Sequence, residues 1–196
     1  MLFHNYLEEL LGSRTKIKIL RALNRHKGKE FTIRELANYI KISHTGVHKT
    51  LNDLYNMNAV TLKSKGKSHT VALNQESHIA DLLDILYGFE EGTLRELQKM
   101  IKSKLCNQAS IESAAIFGSI ARGEENPLSD IDLLIVSSDR EKAEDTVSEL
   151  RVEVSRRFGN PISTYIMTRE EMDKERPPSL KEIPRRYIMI CGKSLE

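Results

Sequence analysis

The residues with the clearest chemical potential in this sequence are two aspartates, Asp130 and Asp132, which lie two positions apart in an apolar run. Side chains two positions apart on a strand point to the same face, so we expect the two carboxylates to lie side by side while Ile131 and Leu133 face a core. Neighbouring carboxylates repel each other unless a cation lies between them. A small set of oxygen ligands suits Mg²⁺ that is also held by substrate phosphates. The pair is therefore predicted to bind Mg²⁺.

A glycine–serine pair precedes these aspartates along the chain. An earlier apolar run ends at Gly118 and Ser119, and a short polar loop leads from there to Asp130. Glycine lets the backbone approach an anion closely, and a helix that begins at Ser119 would direct its free N–H groups at a phosphate. Together the two elements favour a site for a phosphate group and a metal ion.

The combination of Gly-Ser and Asp-x-Asp resembles the polymerase-β-type nucleotidyltransferase superfamily, in particular its minimal-nucleotidyltransferase branch, over residues 94–192. Arg122, three residues after Ser119, either adds positive charge to such a site or is solvated. The resemblance implies that Gly118 and Ser119 hold a nucleoside triphosphate. It also implies that Asp130 and Asp132 are catalytic and bind the metal. The alternative interpretation is a turn and a strand with two aspartates that face solvent.

One departure from the family concerns a third carboxylate. Members that catalyse transfer usually carry it on a later strand, where it serves as base and second metal ligand. The corresponding run, residues 159–168, contains no acid, and Ser163 or Tyr165 stands near the expected place. A hydroxyl cannot complete a two-metal clamp, although charge stabilisation by one metal could remain. Glu153 lies nearby in the sequence, but on a predicted helix. We therefore expect nucleotide binding and leave open whether the protein is an Mg²⁺-dependent nucleotidyltransferase.

Charge is unevenly distributed along the chain. Residues 1–75 contain 13 Lys or Arg and 5 Asp or Glu, whereas residues 76–196 contain 17 and 23. A basic front half is typical of a module that binds a polyanion.

The composition of the chain also indicates the cellular compartment in which we expect the protein. No apolar run reaches the ~20 residues that cross a bilayer, so we expect no membrane partner. The N-terminus lacks the pattern of a signal peptide. Cys106 and Cys191 are the two cysteines of the chain and lack metal-ligand spacing. We expect them to be small buried hydrophobes, and the protein to be cytoplasmic, in a reducing compartment.

Three helices are predicted in the front half. The first covers residues 14–26 and follows Ser13 as its N-cap. The second begins at a capping box formed by Thr32 and Glu35, and the third follows Ser43 after a short turn. Two short strands then flank a basic segment with lysines at every second position, which predicts a β-hairpin.

Helix, turn, helix and basic hairpin resemble the winged helix-turn-helix repressors of the MarR and ArsR type, over residues 13–75. The resemblance implies binding to double-stranded DNA, with the last helix in the major groove. We expect phosphate contacts from the basic residues of the second helix and the hairpin, and base contacts from the third helix. The phosphate set is Arg34, Lys63, Lys65 and Lys67, and the groove set is Thr45, His48, Lys49 and Asn52. The alternative is a winged helix that contacts only protein.

The two histidines of the predicted third helix do not match a zinc-binding pattern. His44 and His48 stand four positions apart, but Thr45 occupies the place where a zinc protease carries glutamate. We interpret both histidines as surface or groove residues.

The middle of the chain is predicted to connect two domains. An apolar helix over residues 79–89 is followed by a break flanked by Gly88 and Gly92. Thr93 and Glu96 form a capping box for a helix that continues to about residue 105. Residues 2–11 and 79–89 are expected to pair across a two-fold axis in a homodimer, because winged-helix repressors usually bind paired half-sites.

The back half alternates strands and helices. A helix capped at residues 137–139 ends at Phe158, a strand covers residues 162–167, and a capping box at Thr168 begins a helix that Pro177 and Pro178 end. A final strand is predicted at residues 187–190. The predicted fold is α+β, with a mixed sheet backed by helices in the second domain.

The predicted domains are a winged helix-turn-helix at residues 1–75, a connecting helix or linker at 76–93 and a nucleotidyltransferase-type domain at 94–196. The leading hypothesis is a DNA-binding transcriptional regulator whose second domain binds a nucleoside triphosphate with Mg²⁺. A second hypothesis is an active transferase that places a nucleoside monophosphate on a protein, RNA or small molecule, in an antitoxin-like role with a toxin-like partner protein. A third is a nucleotidyltransferase fold kept only as a dimerisation scaffold.

Overall fold

The computed structural model describes residues 4–65, 68–174 and 186–195 and divides the chain into two units, Met1–Gly92 and Thr93–Glu196. The α+β fold class is confirmed. The elements of the first unit, in chain order, are α1 (Tyr6–Leu11), α2 (Arg14–Arg25), β1 (Phe31–Thr32), α3 (Ile33–Ile40), α4 (His44–Asn56), β2 (Val60–Lys65), β3 (Ser68–Leu73) and the start of α5 (His78–Leu105).

The first unit has the predicted winged helix-turn-helix arrangement. Helices α3 and α4 form the helix-turn-helix, and β1, β3 and β2 form an antiparallel sheet in that order. The predicted capping box is present, because the Thr32 hydroxyl accepts from the Glu35 N–H and the Glu35 carboxylate accepts from the Thr32 N–H. Ser43 caps α4 by accepting from the Gly46 N–H. Ser13 stands at the N-cap of α2 but makes no side-chain capping bond.

A buried lysine joins three helices of this unit. Lys16 on α2 is only 7% exposed. Its ammonium donates to the Glu9 carbonyl at 2.8 Å and lies 3.4 Å from a carboxylate oxygen of Asp53 on α4. A buried charge is tolerated when it is paired and hydrogen-bonded. The sequence analysis missed this role, although a lysine one turn before the apolar Ile19 and Leu20 was a usable signal.

Helix α5 is continuous from His78 to Leu105, so the predicted break at Gly88 and Gly92 is wrong, as is the capping box at Thr93. Neither glycine has positive φ, and an added Cβ would meet no atom within 4 Å at either position. Apolar residues recur at helical spacing on both sides of the glycines and pack into the two cores, which outweighs the cost of about 1 kcal/mol that each glycine adds. These residues are Ile79, Leu83 and Tyr87 in the first core and Leu97, Ile101 and Leu105 in the second.

The second unit is a four-stranded mixed sheet with helices. Its further elements are β4 (Ile111–Ile116), α6 (Gly118–Arg122), β5 (Ile131–Ser137), α7 (Arg140–Phe158), β6 (Ile162–Met167), α8 (Arg169–Lys174) and β7 (Ile188–Gly192). The strand order is β6-β5-β4-β7. Strands β5 and β6 are parallel, and β4 is antiparallel to both of its neighbours.

Two apolar clusters cover the two faces of this sheet. One contains Ile131, Leu133 and Ile135 of β5 with residues of α5 and α7. The other contains Leu134 and Val136 of the same strand with residues of α8 and β7. Alternation along β5 therefore decides which side chains face the larger core.

The last strand differs from the sequence expectation at both of its ends. The last strand begins at Ile188 and ends at Gly192, two residues beyond the predicted end. The Thr168 capping box of α8 is present, through bonds between Thr168 and Glu171 in both directions. The predicted helix end at Pro177 and Pro178 lies outside the described residues.

The two cysteines are not separate buried hydrophobes as predicted. Cys106, just after α5, and Cys191, in β7, form a disulfide that joins residues 85 positions apart. Both side chains are only partly buried and pack against the larger core of the second unit. The sequence alone could not bring the two together, because that requires the end of α5 and the edge strand of the sheet to be neighbours.

Because α5 is continuous, we expect that neither of its two glycines is needed for its conformation. We expect Gly88→Ala and Gly92→Ala each to raise the free energy of unfolding by roughly 0.5–1 kcal/mol, because alanine is the better helix former and open space surrounds both positions. Chemical denaturation followed by circular dichroism measures this.

Gly159→Ala is the matched control. Gly159 ends α7 with φ of 81°, a conformation that disfavours alanine, so this substitution should destabilise. Destabilisation by Gly88→Ala or Gly92→Ala would contradict the continuous helix.

Candidate functional site

The Gly-Ser and Asp-x-Asp elements meet in the structure. Gly118 follows β4 with φ of 69°, and a Cβ on it would overlap the Asp132 carboxylate. The carboxylate thus lies directly against the Gly118 backbone, where a larger residue would displace it. The Phe117 N–H donates to the Asp132 carbonyl at 3.0 Å and fixes the two segments to each other.

A short helix begins at this contact. Helix α6 covers Gly118–Arg122, and the side chain of its N-cap residue, Phe117, makes no capping bond. The N–H groups of a first helical turn have no partner within their own helix. Ser119 is half-buried in this turn. The residues predicted to hold phosphate and those predicted to hold metal are therefore adjacent.

The electrostatics of the aspartate pair favour a bound cation. Burial raises the pKa of the Asp132 carboxyl, the negative charge of Asp130 raises it further, and the positive charge of Arg122 acts in the opposite direction. Asp130 is exposed, just before β5. A divalent cation near Asp132 would offset the negative charge of both carboxylates.

Arg122 lies at the end of α6, close enough to act on Asp132. Its guanidinium is exposed and forms an ion pair with Glu124, with a nitrogen–oxygen distance of 2.8 Å. An anionic ligand at this site would compete with Glu124 for Arg122. The sequence analysis did not single out Glu124, and its position two residues beyond Arg122 was the available signal.

The register of the sheet places Ser163 beside Asp132. The two residues are direct partners in the parallel pair β5–β6, so their side chains share a face. Tyr165 is the partner of Leu134 instead, and its ring packs edge-on against Phe117 with the centroids 5.5 Å apart. Of the two residues considered for the place of a third carboxylate, Ser163 is the neighbour of Asp132.

No nearby acid replaces that carboxylate in the described part of the chain. Glu153 lies on α7 and pairs with Lys104 at 2.8 Å. Within residues 4–65, 68–174 and 186–195, no group of three or more His, Cys, Asp or Glu side chains could hold a metal ion. The two aspartates fit the case in which Mg²⁺ takes one or two carboxylates and completes its shell with phosphate oxygens and water.

Helix α4 presents one polar face to solvent. Its inward residues Val47, Leu51 and Leu54 are buried. The residues predicted to contact DNA bases lie on the opposite side and are all exposed, namely Thr45, His48, Lys49 and Asn52. His44 and His48 stack with ring centroids 6.4 Å apart on this helix. Arg34, on α3, is also exposed.

One lysine of the hairpin, Lys63, has an internal partner. Lys63 forms an ion pair with Glu30 at 2.7 Å, and the Thr70 hydroxyl donates to the other carboxylate oxygen of Glu30 at 3.4 Å. The Lys65 side chain and the whole of Lys67 lie outside the described residues. The sequence analysis missed Glu30, because only the strand pairing Lys63↔Thr70 brings the three residues together.

The first unit is less basic than its first 75 residues indicate. Residues 76–92 add five acids and no base, so the unit that ends at Gly92 contains 13 basic and 10 acidic residues. Three of these acids, on α5, form ion pairs with cations in the second half of α2 or just beyond it, namely Arg21–Glu90, Arg25–Glu91 and Lys27–Asp84. Arg21, Arg25 and Lys27 therefore add little to the net positive charge of the unit.

Large apolar side chains are exposed on α1 and on the first half of α5. Phe89 is 74% exposed and Ile85 59% exposed. Leu86 on the same helix and Leu7 on α1 are exposed as well. These residues lie in the two segments predicted to pair across a two-fold axis. Among the described residues, no helix combines the length and apolar character needed to cross a bilayer.

Comparison with known proteins identifies part of the chain. Residues 99–178 match the family model described as polymerase beta, nucleotidyltransferase. A comparison with curated proteins gives no match.

Solved structures resemble parts of the chain at low identity. Reduced HlyU from Vibrio cholerae N16961 is 19% identical with a TM-score of 0.34, over 41% of this chain and 84% of that chain. A homodimeric winged helix-turn-helix DNA-binding domain from Mycobacterium bovis, from a possible ArsR-family transcriptional regulator, is 17% identical with a TM-score of 0.39, over 46% and 80%. A toxin–antitoxin structure with AMP-PNP is 15% identical with a TM-score of 0.38, over 49% and 73%.

The family match falls on the segment that contains Gly118, Ser119 and the aspartate pair. The helix-turn-helix and its hairpin precede that segment along the chain. Residues 99–178 thus match the polymerase beta, nucleotidyltransferase family model, in a chain whose first unit has the winged helix-turn-helix fold.

Proposed function

We propose that this protein is a DNA-binding transcriptional regulator whose second unit binds a nucleoside triphosphate with Mg²⁺. The observation that carries the proposal is the contact between the Asp132 carboxylate and the Gly118 backbone at the start of α6. It brings the phosphate-binding and metal-binding elements into one site. Gly118, Ser119 and Arg122 hold the phosphates in this proposal, and Asp130 and Asp132 hold the metal.

The aspartate pair fits Mg²⁺ by the chemistry of its donors. Both are oxygen ligands, and the pKa of Asp132 is raised first by burial and second by the negative charge of Asp130. Bound Mg²⁺ would neutralise charge on the phosphates. Asp130 and Asp132 would fix its position relative to Ser119 and the first turn of α6.

The DNA-binding part of the proposal rests on α4. Its exposed polar face opposes a fully buried apolar face, as expected of a helix that enters the major groove. The unit's remaining positive charge supports phosphate contacts by Arg34 and the hairpin lysines. Charge alone is modest support, since the unit carries only three more basic than acidic residues.

Dimerisation and location follow from the same proposal. The exposed apolar side chains of α1 and α5, with Phe89 foremost, support a homodimer that would contact two half-sites. Nucleotide occupancy would then change the geometry of the dimer and hence its affinity for DNA. A cytoplasmic location belongs to the proposal, because both proposed ligands, DNA and a nucleoside triphosphate, are found there.

The second candidate is an active nucleotidyltransferase, and the family match to residues 99–178 favours it. An acceptor hydroxyl on a protein, RNA or small molecule would attack the α-phosphorus, pyrophosphate would leave, and the hydroxyl proton would pass to a base. A toxin-like partner protein would be one such acceptor. Ser163 beside Asp132 is the observation against it, because a serine cannot supply that base or a second metal site.

Asp132→Asn tests the nucleotide site. Asp132 has a raised pKa in the folded protein, so its ionised form destabilises the fold. This destabilisation is absent when the pH is below the pKa that Asp132 has in the unfolded chain. It grows as the pH rises towards the raised pKa of the folded protein and is complete above that pKa. We therefore expect Asp132→Asn to raise the apo melting temperature at pH 7 and not below about pH 4. Its stabilisation by Mg²⁺ with ATP, GTP, CTP or UTP should be lost.

The wild type should show a rise in melting temperature with at least one of these nucleotides, and only with Mg²⁺ present. Asp145→Asn, on the exposed face of α7, is the matched control and should behave as the wild type. Absence of a nucleotide effect in the wild type, together with unchanged behaviour of Asp130→Ala, would favour the scaffold hypothesis instead.

Ser163→Asp tests whether the missing third carboxylate is the reason that nucleotidyl transfer should be absent. The substitution places a third carboxylate beside Asp132, so we expect Mg²⁺-dependent transfer of α-labelled nucleotide to rise from background to a measurable rate. Asp132→Asn in the same chain should abolish it. Transfer by the wild type that Asp130→Ala abolishes would establish the transferase and reject a purely regulatory site.

The DNA-binding proposal predicts salt-sensitive binding to the region upstream of the protein's own gene. Lys49→Ala and Asn52→Ala should each weaken binding by about 1–3 kcal/mol, while Asn52→Ala leaves the salt dependence unchanged if it contacts a base. Fluorescence anisotropy at several salt concentrations measures both. Lys102→Ala, an exposed cation of the second unit, is the control, and an equal loss with it would refute the assignment to α4.

A further inference from the structure

The disulfide between Cys106 and Cys191 stands in a chain whose proposed ligands are intracellular. Disulfides are rare in reducing compartments, where those that occur are usually catalytic or redox-sensing. These are the two cysteines of the sequence, and they are joined across 85 positions. The pair is thus available for a reversible change that involves no other thiol of the chain.

The disulfide holds the edge strand of the second unit's sheet. Strand β7 has β4 as its neighbour in the sheet order and no other strand among the described residues. Cys191 is the partner of Ala114 in β4, and the disulfide fastens it to the residue that follows α5. Strand β7 is therefore attached on one side by hydrogen bonds and at Cys191 by a covalent bond.

The hydrogen-bonded register is irregular at this point. Ala114 pairs with Cys191, whereas the next residue, Ala115, pairs with Met189, so Ile190 is left out of the ladder. A bulge of this kind disrupts the ladder locally. The covalent bond thus reinforces β7 where its hydrogen bonding is weakest.

The other end of β7 flanks the proposed nucleotide site. Ile188 is the partner of Ile116, which lies two residues before Gly118. Tyr187 packs against the cluster that contains Phe117, and Phe117 is bonded to Asp132. Loosening β7 would remove support from the residues that place Gly118 against the Asp132 carboxylate.

Cys106 and Cys191 are partly buried rather than enclosed. Exchange requires a thiolate to approach one sulfur of the disulfide, which partial exposure permits.

We propose that Cys106 and Cys191 are a reversible redox modification site that locks β7 onto β4 and thereby sets the affinity of the Gly118–Asp132 site for nucleotide. The reductant is a small-molecule dithiol. Its thiolate attacks one sulfur, breaks the Cys106–Cys191 bond and forms a mixed disulfide, and its second thiol then releases the protein thiol. The dithiol loses two electrons and two protons and becomes a cyclic disulfide, and the protein gains two thiols. The reverse exchange, in which that cyclic disulfide takes up two electrons and two protons, re-forms the Cys106–Cys191 bond. The affinity effect rests on the nucleotide binding proposed above.

The experiment compares oxidised and dithiothreitol-reduced full-length protein in two measurements. Hydrogen exchange reports on the amides of β4 and β7, and a fluorescent ATP analogue with Mg²⁺ reports on the site. Reduction should speed exchange in Ile188–Gly192 and weaken nucleotide binding by about fivefold or more. The variant C106S/C191S should match the reduced wild type and not respond to dithiothreitol. Thiol alkylation and mass measurement establish the redox state of each sample.

The outcomes separate the two proposals. Unchanged exchange in β7 on reduction overturns the redox site, as does nucleotide affinity that is measurable and equal in both states. Faster exchange in β7, with no nucleotide binding in either state, supports redox control of the strand and overturns the nucleotide function.

Discussion

The alternation of side chains along β5 is the constraint on which the second unit depends. Ile131, Leu133 and Ile135 pack with α5 and α7, and this packing fixes which face of the strand each side chain points to. Asp132 is consequently held on the other face, beside Ser163 and against the backbone of Gly118. The carboxylate is partly buried there, which raises its pKa, and the site retains that unfavourable charge as long as the core is packed. The alternation of side chains along β5 thus both builds the core and holds Asp132 where a cation would be favoured.

The first unit uses a buried charge to fix its helices. Lys16 on α2 contacts Glu9 beyond its own helix and Asp53 on α4. Removing one partner of such a group would leave a buried charge without compensation, which is more costly than losing the contact itself. The polar face of α4 is therefore oriented both by its buried apolar residues and by Asp53, which lies next to Asn52. Lys16 and Asp53, which do not contact DNA in the proposal, would thus orient the face of α4 that does.

The sequence predicted the elements of both units well, because capping residues and apolar periodicity are local signals. The Thr32–Glu35 capping box lies where those signals placed it, and so does the strand that contains Asp132, but Asp130 precedes that strand instead of belonging to it. Gly88 and Gly92 misled the prediction, since packing of α5 on both sides of them overrides a weak local preference. The disulfide, the Glu30–Lys63 pair and the partnership of Ser163 with Asp132 depend on register between distant segments. No spacing within one segment encodes such contacts.

The ion pair between Lys63 and Glu30 has a consequence for how DNA binding would be measured. A lysine in free solution attracts no fixed anion, and a phosphate that binds it releases condensed salt ions from the DNA. Lys63 already has an anion supplied by its own chain. A phosphate would have to displace Glu30, which then remains as a negative charge close to the DNA. The chain thus carries an internal counterion, and counting exposed lysines would overestimate the net electrostatic gain of the hairpin.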